Sequence, residues 1–179
     1  MLVLVVGPSG AGKDTLIAAA RAALAGDARF VFPRRVVTRP AIAALEDHDS
    51  IGVDEFALQL RNGAYALSWD AHGLSYGVPA AIREDIAAGR VVVINGSRAM
   101  AGAALAAVPG TRIVLVEASA EARAQRLAGR GRESAGDIAA RLAREVPNVP
   151  AGAIRIDNSG ALEAGIGRFL AALRALAEN

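Results

Sequence analysis

Residues 7–15, Gly-Pro-Ser-Gly-Ala-Gly-Lys-Asp-Thr, concentrate the residue types that phosphate chemistry needs. Glycines at 7, 10 and 12 let backbone N–H groups turn toward an anion, and a helix starting here adds the positive end of its dipole. Lys13 supplies a compact ammonium that can reach the β- and γ-phosphates of a nucleoside triphosphate. Of 20 lysines and arginines together, Lys13 is the only lysine. The spacing is that of GxxxxGK[ST] with one displacement: Asp14 stands where the hydroxyl is expected, and Thr15 follows. Many such loops hold Mg²⁺ through that hydroxyl and an acid ending another strand. Here the candidate strand, "VVVIN", ends in Asn95. Asp14 therefore has two readings. It contributes to a Mg²⁺ site, directly or through water, or it is a helix N-terminal acid favoured only by the dipole, by about 0.3–1 kcal/mol. Thr15 can serve phosphate or Mg²⁺.

The flanking sequence supplies the context such a loop requires. "LVLVV" (2–6) is a continuous apolar run, as for a buried parallel strand, and "KDTLIAAARAALA" follows with helical spacing. Downstream, "FVFPRRVVT" reads as a strand, "GRVVVINGS" as a second buried strand with a helical stretch over 98–107, and "TRIVLVEA" (111–118) as a third. "SAEARAQRLAGR" begins with a serine cap and continues as a helix; "AIRID" is a last short strand before an amphipathic closing helix. This alternation predicts an α/β fold with a parallel sheet flanked by helices. Asn95, Ser97 and Arg98 end a strand on the side where such sheets gather ligands.

Residues 40–85 break the rhythm with short mixed elements, both histidines, the single tryptophan and both tyrosines. They predict an inserted substrate-binding lobe, about 35–89 in all. "GRGRESAG" (129–136), glycine-rich and basic between two helices, predicts a short lid. One domain spans 1–179, its core formed by 1–34, 90–128 and 137–179.

Composition narrows the function classes. The chain has no cysteine, which excludes disulfides and thiolate metal sites and fits a reducing cytoplasm. No apolar run approaches the ~20 residues of a membrane span, and "MLVLVV" lacks the basic region of a signal peptide. A formal charge of +2 is no more than a weak pointer to anionic ligands. No aromatic-rich basic stripe points to nucleic acid. The sequence leaves the oligomeric state open.

Taken in order, "GPSGAGKD", "VVTRP", "EDH", "VDEF", "GAYALSW", "HGLSYG", "RLAGRGRE" and "IAARLAR" resemble the guanylate-kinase-like branch of the P-loop NTPases over nearly the whole chain. Within it, "TRP", "ALSW", "HGLSYG", "INGSR" and "GRGRE" most resemble the ribose 1,5-bisphosphate kinases of phosphonate degradation. The resemblance implies ATP and Mg²⁺ as cofactors and a small phosphosugar as partner, with 5-phosphoribosyl 1-diphosphate (PRPP) and ADP as products. It implies nucleotide contacts at Gly7, Ser9, Gly10, Ala11, Gly12, Lys13, Asp14, Thr15, Arg130 and Asn158, and a phosphoryl clamp from Lys13, Arg132 and Arg141. It implies acceptor contacts at Arg35, Arg39, His48, Ser68, Tyr76, Asn95, Ser97 and Arg98.

Departures from guanylate kinase bear on the acceptor. That family resembles this chain except that it has a guanine-reading glutamate at the place of Ser68 and an aspartate on the strand ending near Asn95. Guanine bound here would lose acceptors for its N1–H and N2–H₂ donors, at about 1–3 kcal/mol each. The alternatives are a guanylate or other nucleoside monophosphate kinase, and a non-catalytic interaction module; modules of that kind lose the loop lysine and lid arginines. Arg123 and Arg126 read as surface or adenine-stacking residues, His48 as a phosphate contact or a loop histidine, His72 as a turn residue, and Trp69 as core of the insert. The loop after Asp157 reads as the adenine side of the site or as a plain turn. No Ser/His/Asp arrangement is needed, because an anionic acceptor phosphate is already the nucleophile and catalysis rests on alignment and charge neutralisation.

Overall fold

Every side chain of strand β1 (Leu2–Val6) is buried, as a continuous apolar run requires when both faces of a parallel sheet are covered. In the computed structural model, which describes residues 1–39, 48–71, 73–129 and 150–178, this strand runs through the middle of a five-stranded sheet. Its neighbours are β7 (Val91–Asn95) and β8 (Arg112–Glu117), and β2 (Phe30–Val31) and β9 (Ile154–Asp157) form the edges. All four pairings are parallel. The chain leaves β1 for β2 and β7 on one side and later crosses to β8 and β9 on the other. The carboxyl end of β1 is thus a switch point, where the connections diverge and leave a crevice.

Alternation along β1 divides the core between two faces. Val3 and Val5 point to helices α1 (Lys13–Ala23) and α6 (Leu162–Ala177), packing with Leu16, Ala20, Phe169 and Leu173. Leu2, Leu4 and Val6 point the other way, to Met100 in a 3₁₀ turn (Arg98–Met100) and to Ala101 and Ala104 in α4 (Ala101–Ala107). Helix α5 (Ala120–Ala128) follows β8, and its Ser119 cap accepts a 3.2 Å hydrogen bond from the Ala122 N–H. This satisfies one donor of the helix's first turn.

"FVFPRRVVT", expected as one strand, is two strands in different sheets. Phe30 and Val31 pair with β7. After Pro33, β3 (Arg35–Val37) joins a second sheet of order β4-β3-β6-β5. The proline has no N–H to continue a ladder and ends the first pairing. The other members are β4 (His48–Ser50), β5 (Tyr65–Ala71) and β6 (Leu74–Pro79), with α2 (Val53–Arg61) between β4 and β5. Leu67 and Val78 dock this sheet on the Leu2/Leu4 face of the core. Helix α3 (Ile82–Ala87) leads back to β7. The expected lid residues beyond Gly129, and His72, lie outside the described residues. Among the described residues no helix is long and apolar enough to cross a membrane.

Candidate active site

The glycine loop leaves the carboxyl end of β1 and enters α1 through Gly12, which caps the helix with φ +92°. A side chain there would be strained by its backbone, and its Cβ would stand 2.5 Å from the Asn158 amide nitrogen. At Gly7 a Cβ would lie 2.1 Å from the Val116 carbonyl oxygen. These two positions account for the GxxxxG spacing: the loop passes against β8 at its start and against the segment after β9 at its end. Lys13, the first residue of α1, bends back over the loop. Its Nζ donates to the carbonyls of Gly7 (2.9 Å) and Pro8 (3.2 Å). The ammonium therefore sits at the mouth of a turn that precedes a helix N-terminus, where the first-turn N–H groups have no partner within the helix.

Polar side chains from distant parts of the chain hold the loop from behind. The carbonyl of Ala11 accepts from Asn158 Nδ2 at 2.8 Å and from Arg126 Nη1 at 3.4 Å. Arg126 Nη2 also donates to the Asn158 carbonyl at 2.7 Å. Arg123 Nε donates to the Ser9 carbonyl at 2.9 Å. With loop carbonyls tied toward α5 and the β9 turn, planar peptide units present their N–H groups on the opposite side. Arg123 and Arg126, left between surface and adenine-stacking roles by the sequence, are anchors of the loop backbone. Asn158, expected to contact the nucleotide, is 1% exposed and sits behind the loop with its amide on Ala11. The one sequence signal for the arginine pair was their spacing of three on a capped helix, which sets both on one face.

Asn95 and Asp14, read separately from the sequence, meet in space. Register places Asn95 opposite Val5 at the end of the β1–β7 pair, and its Nδ2 donates to the Asp14 carboxylate. Asp14 and Thr15 are both exposed on the first turn of α1. Their carboxylate and hydroxyl are hard oxygen donors, suited to a Mg²⁺ ion that keeps several waters and takes further ligands from phosphates. Among the described residues no group of three or more His, Asp or Glu side chains converges as a self-sufficient metal site.

Of the expected acceptor residues, the second sheet carries Arg35, His48, Ser68 and Tyr76. Tyr76 stacks on Trp69, ring centroids 5.1 Å apart and 7° from parallel, and the Arg35 guanidinium lies 5.9 Å over the Tyr76 ring. Trp69, expected as plain core, packs partly on the core and partly braces Tyr76. Ser68 is exposed on β5, opposite Gly77. His48 pairs with Arg35 across β4 and β3, and its carbonyl accepts from Arg34 at 2.8 Å. Arg39 follows β3, and Ser97 precedes the 3₁₀ turn that begins with Arg98. Arg130, Arg132 and Arg141 lie outside the described residues.

A parallel sheet with a glycine loop after its central strand, a lysine opening the next helix and a second small sheet beside the crevice defines a P-loop NTPase fold of the guanylate kinase type. The solved guanylate kinase of Anaplasma phagocytophilum superposes with a TM-score of 0.70, covering 100% of this chain and 87% of that one at 19% identity. No family model matches the chain. The ribose 1,5-bisphosphate phosphokinase PhnN of Brucella melitensis is 48% identical over 177 residues, covering 98% of this chain and 92% of that protein. The bifunctional ribose 1,5-bisphosphokinase-thymidine phosphorylase of Azorhizobium caulinodans is 49% identical over 175 residues, and the match spans 97% of this chain but 25% of that longer protein. The chain belongs to the ribose 1,5-bisphosphate phosphokinase family.

Proposed function

We infer that this protein transfers the γ-phosphoryl group of ATP to the 1-phosphate of ribose 1,5-bisphosphate, giving PRPP and ADP. A terminal oxygen of the 1-phosphate bonds to the γ-phosphorus while the bond to the β,γ-bridging oxygen breaks and ADP leaves with that electron pair. The loop N–H groups and Lys13 bind and orient the triphosphate, and the anchors Arg123, Arg126 and Asn158 keep those N–H groups aimed. Mg²⁺ would be held by Asp14, Thr15 and the phosphates, and when bound supplies neutralisation of phosphate charge. Arg35 and Tyr76, braced by Trp69, offer a cation and a hydroxyl to the acceptor's phosphates. Arg132 and Arg141 are proposed to steady the group in transfer.

The observation that carries the acceptor assignment is the use made of Ser68 and Asn95. Ser68 offers a small hydroxyl, and the Asn95 amide donates to Asp14. Neither position offers a carboxylate to a guanine edge. Two absent acceptors at about 1–3 kcal/mol each leave GMP at a disadvantage of roughly a hundredfold or more, whereas a sugar bisphosphate has no base to read.

The test is product identification. The protein, ATP and Mg²⁺ are incubated with ribose 1,5-bisphosphate, with ribose 5-phosphate and with GMP, and products are followed by phosphorus NMR. PRPP and ADP should accumulate from the bisphosphate alone. Equal turnover of GMP would overturn the acceptor assignment and leave the fold standing.

A further inference from the structure

Helix α6 carries two glycines near its start, Gly165 and Gly167, and their surroundings differ. Gly167 is exposed, and a Cβ there would meet nothing within 4 Å. Gly165 is buried, and its Cβ would stand 2.1 Å from Asn158 Oδ1 and 3.0 Å from Asn158 Cγ. A glycine inside a helix is less favourable than alanine, so the buried one needs a reason in packing. The reason is the Asn158 carboxamide, which lies between two glycines. Its Nδ2 faces Gly12, where a Cβ would approach to 2.5 Å, and donates to the Ala11 carbonyl at 2.8 Å. Its Oδ1 is buried and meets no donor among the described residues, so the room left at Gly165 is what places that end.

We propose that Gly165, more than 150 residues from the glycine loop in sequence, is a positioning residue for triphosphate binding, acting through Asn158. The backbone of Asn158 cannot retreat from an added Cβ. Its N–H donates to the Glu117 carbonyl at 2.8 Å, and its carbonyl accepts from Arg126 Nη2 at 2.7 Å. Leu16 stands 3.6 Å from the same Cβ position, an ordinary contact that does not force the helix away. The Asn158 side chain is therefore what yields, and when it turns, Nδ2 leaves Ala11. That carbonyl lies in the peptide between Ala11 and Gly12, inside the loop. Releasing it frees a planar unit whose N–H belongs to the loop's anion-binding face. The role rests on the reading above that this loop holds the triphosphate, and it is independent of which acceptor receives the phosphoryl group.

The two glycines give the test its own control. Gly167→Ala should raise Tm by about 1–4 °C, the ordinary gain of alanine in a helix. Gly165→Ala, the same change two residues earlier, should instead lower Tm by about 2–8 °C, because it leaves a buried loop carbonyl without its donor. In an Asn158→Ala background the obstruction is gone, and Gly165→Ala should raise Tm as Gly167→Ala does. Titration calorimetry with Mg²⁺ and an ATP analogue carrying an imido-linked γ-phosphate supplies the readout that a purely structural glycine would not move. Affinity should fall about tenfold in Gly165→Ala, the equivalent of one hydrogen bond, and by a similar factor in Asn158→Ala. The double variant should bind no more weakly than Asn158→Ala alone. Should Gly165→Ala not fold, the double variant compared with Asn158→Ala still reads the same coupling. A Gly165→Ala protein that is stabilised, that is destabilised with unchanged affinity, or whose losses persist in the Asn158→Ala background overturns the role. Neither readout uses an acceptor, so failure of the sugar assignment is seen separately, in the product analysis of the unaltered protein.

Discussion

Exchanging Asp14 and Asn95 tests whether the contact between them is an organising element of the site. Asn95→Asp replaces an amide that donates to the Asp14 carboxylate with a second carboxylate. Two terms add. A hydrogen bond to a charged group is lost, worth about 1.5–3 kcal/mol. Two like charges then stand at about 4 Å, at a cost of about 1 kcal/mol in a water-like dielectric and up to about 4 kcal/mol in a protein-surface one. Because Asp14 is exposed, the lower charge cost applies, and a total near 2–4 kcal/mol is expected. For a domain of this size that lowers Tm by about 5–15 °C. Asp14→Asn removes one charge and keeps a polar contact, so it should cost less. The double variant Asp14→Asn with Asn95→Asp restores a donor–acceptor pair with the polarity reversed, and should regain most of the loss. The assay is thermal unfolding of all four proteins in EDTA and again with millimolar Mg²⁺. Mg²⁺ should rescue Asn95→Asp more than the parent, since it can bridge two carboxylates. A double variant whose loss equals the sum of the single losses would show no coupling, and the reasoning about this contact would fail.

Three other perturbations probe separate parts of the molecule. Lys13→Ala should lower phosphoryl transfer at least ~10²-fold with little change in stability, because the ammonium serves the ligand; steady-state kinetics with near-normal turnover would remove this loop from the chemistry. Asn158→Ala should cost about 1–3 kcal/mol in urea unfolding by stripping the Ala11 carbonyl of its buried donor, and should weaken triphosphate binding through the loop; unchanged stability with weakened binding would instead make Asn158 a ligand contact. Phe169→Ala, which empties a fully buried position between α6 and β1, should cost about 3–5 kcal/mol while leaving the Michaelis constants of the remaining folded enzyme unchanged; altered Michaelis constants would mean that the α6 face is coupled to the site.

Much of the architecture was legible because its signals are local. An all-apolar run such as 2–6 has no face to offer water and must be covered on both sides. Helical spacing after Lys13 and the serine at 119 mark where helices start. The glycine-lysine loop is recognisable in isolation, since its function depends on backbone freedom at 7 and 12 and a cation next to them. The exception within the strands, at 30–37, turned on which sheet each half pairs with. Pro33 marks a break, and no local pattern says that the second half joins β6 rather than β7.

The polar details of the site required the tertiary structure. Asn95 and Asp14 lie 81 residues apart in sequence, Arg126 and Ala11 lie 115 apart, and Asn158 and Ala11 lie 147 apart. Hydrophobic residues announce themselves by period because a whole face must be buried, but a single amide or guanidinium has no period. Its partner is fixed by strand order and register, here β1 between β7 and β8, which bring the ends of three distant segments to one crevice. Sequence alone thus determined the loop, the alternation of strands and helices outside 30–89 and the phosphate chemistry. Folding decided that Asn95 turns to Asp14 and Asn158 to the back of the loop, because a donor brought near an unsatisfied carbonyl or carboxylate in a crowded crevice is held there by the cost of leaving either group without a partner.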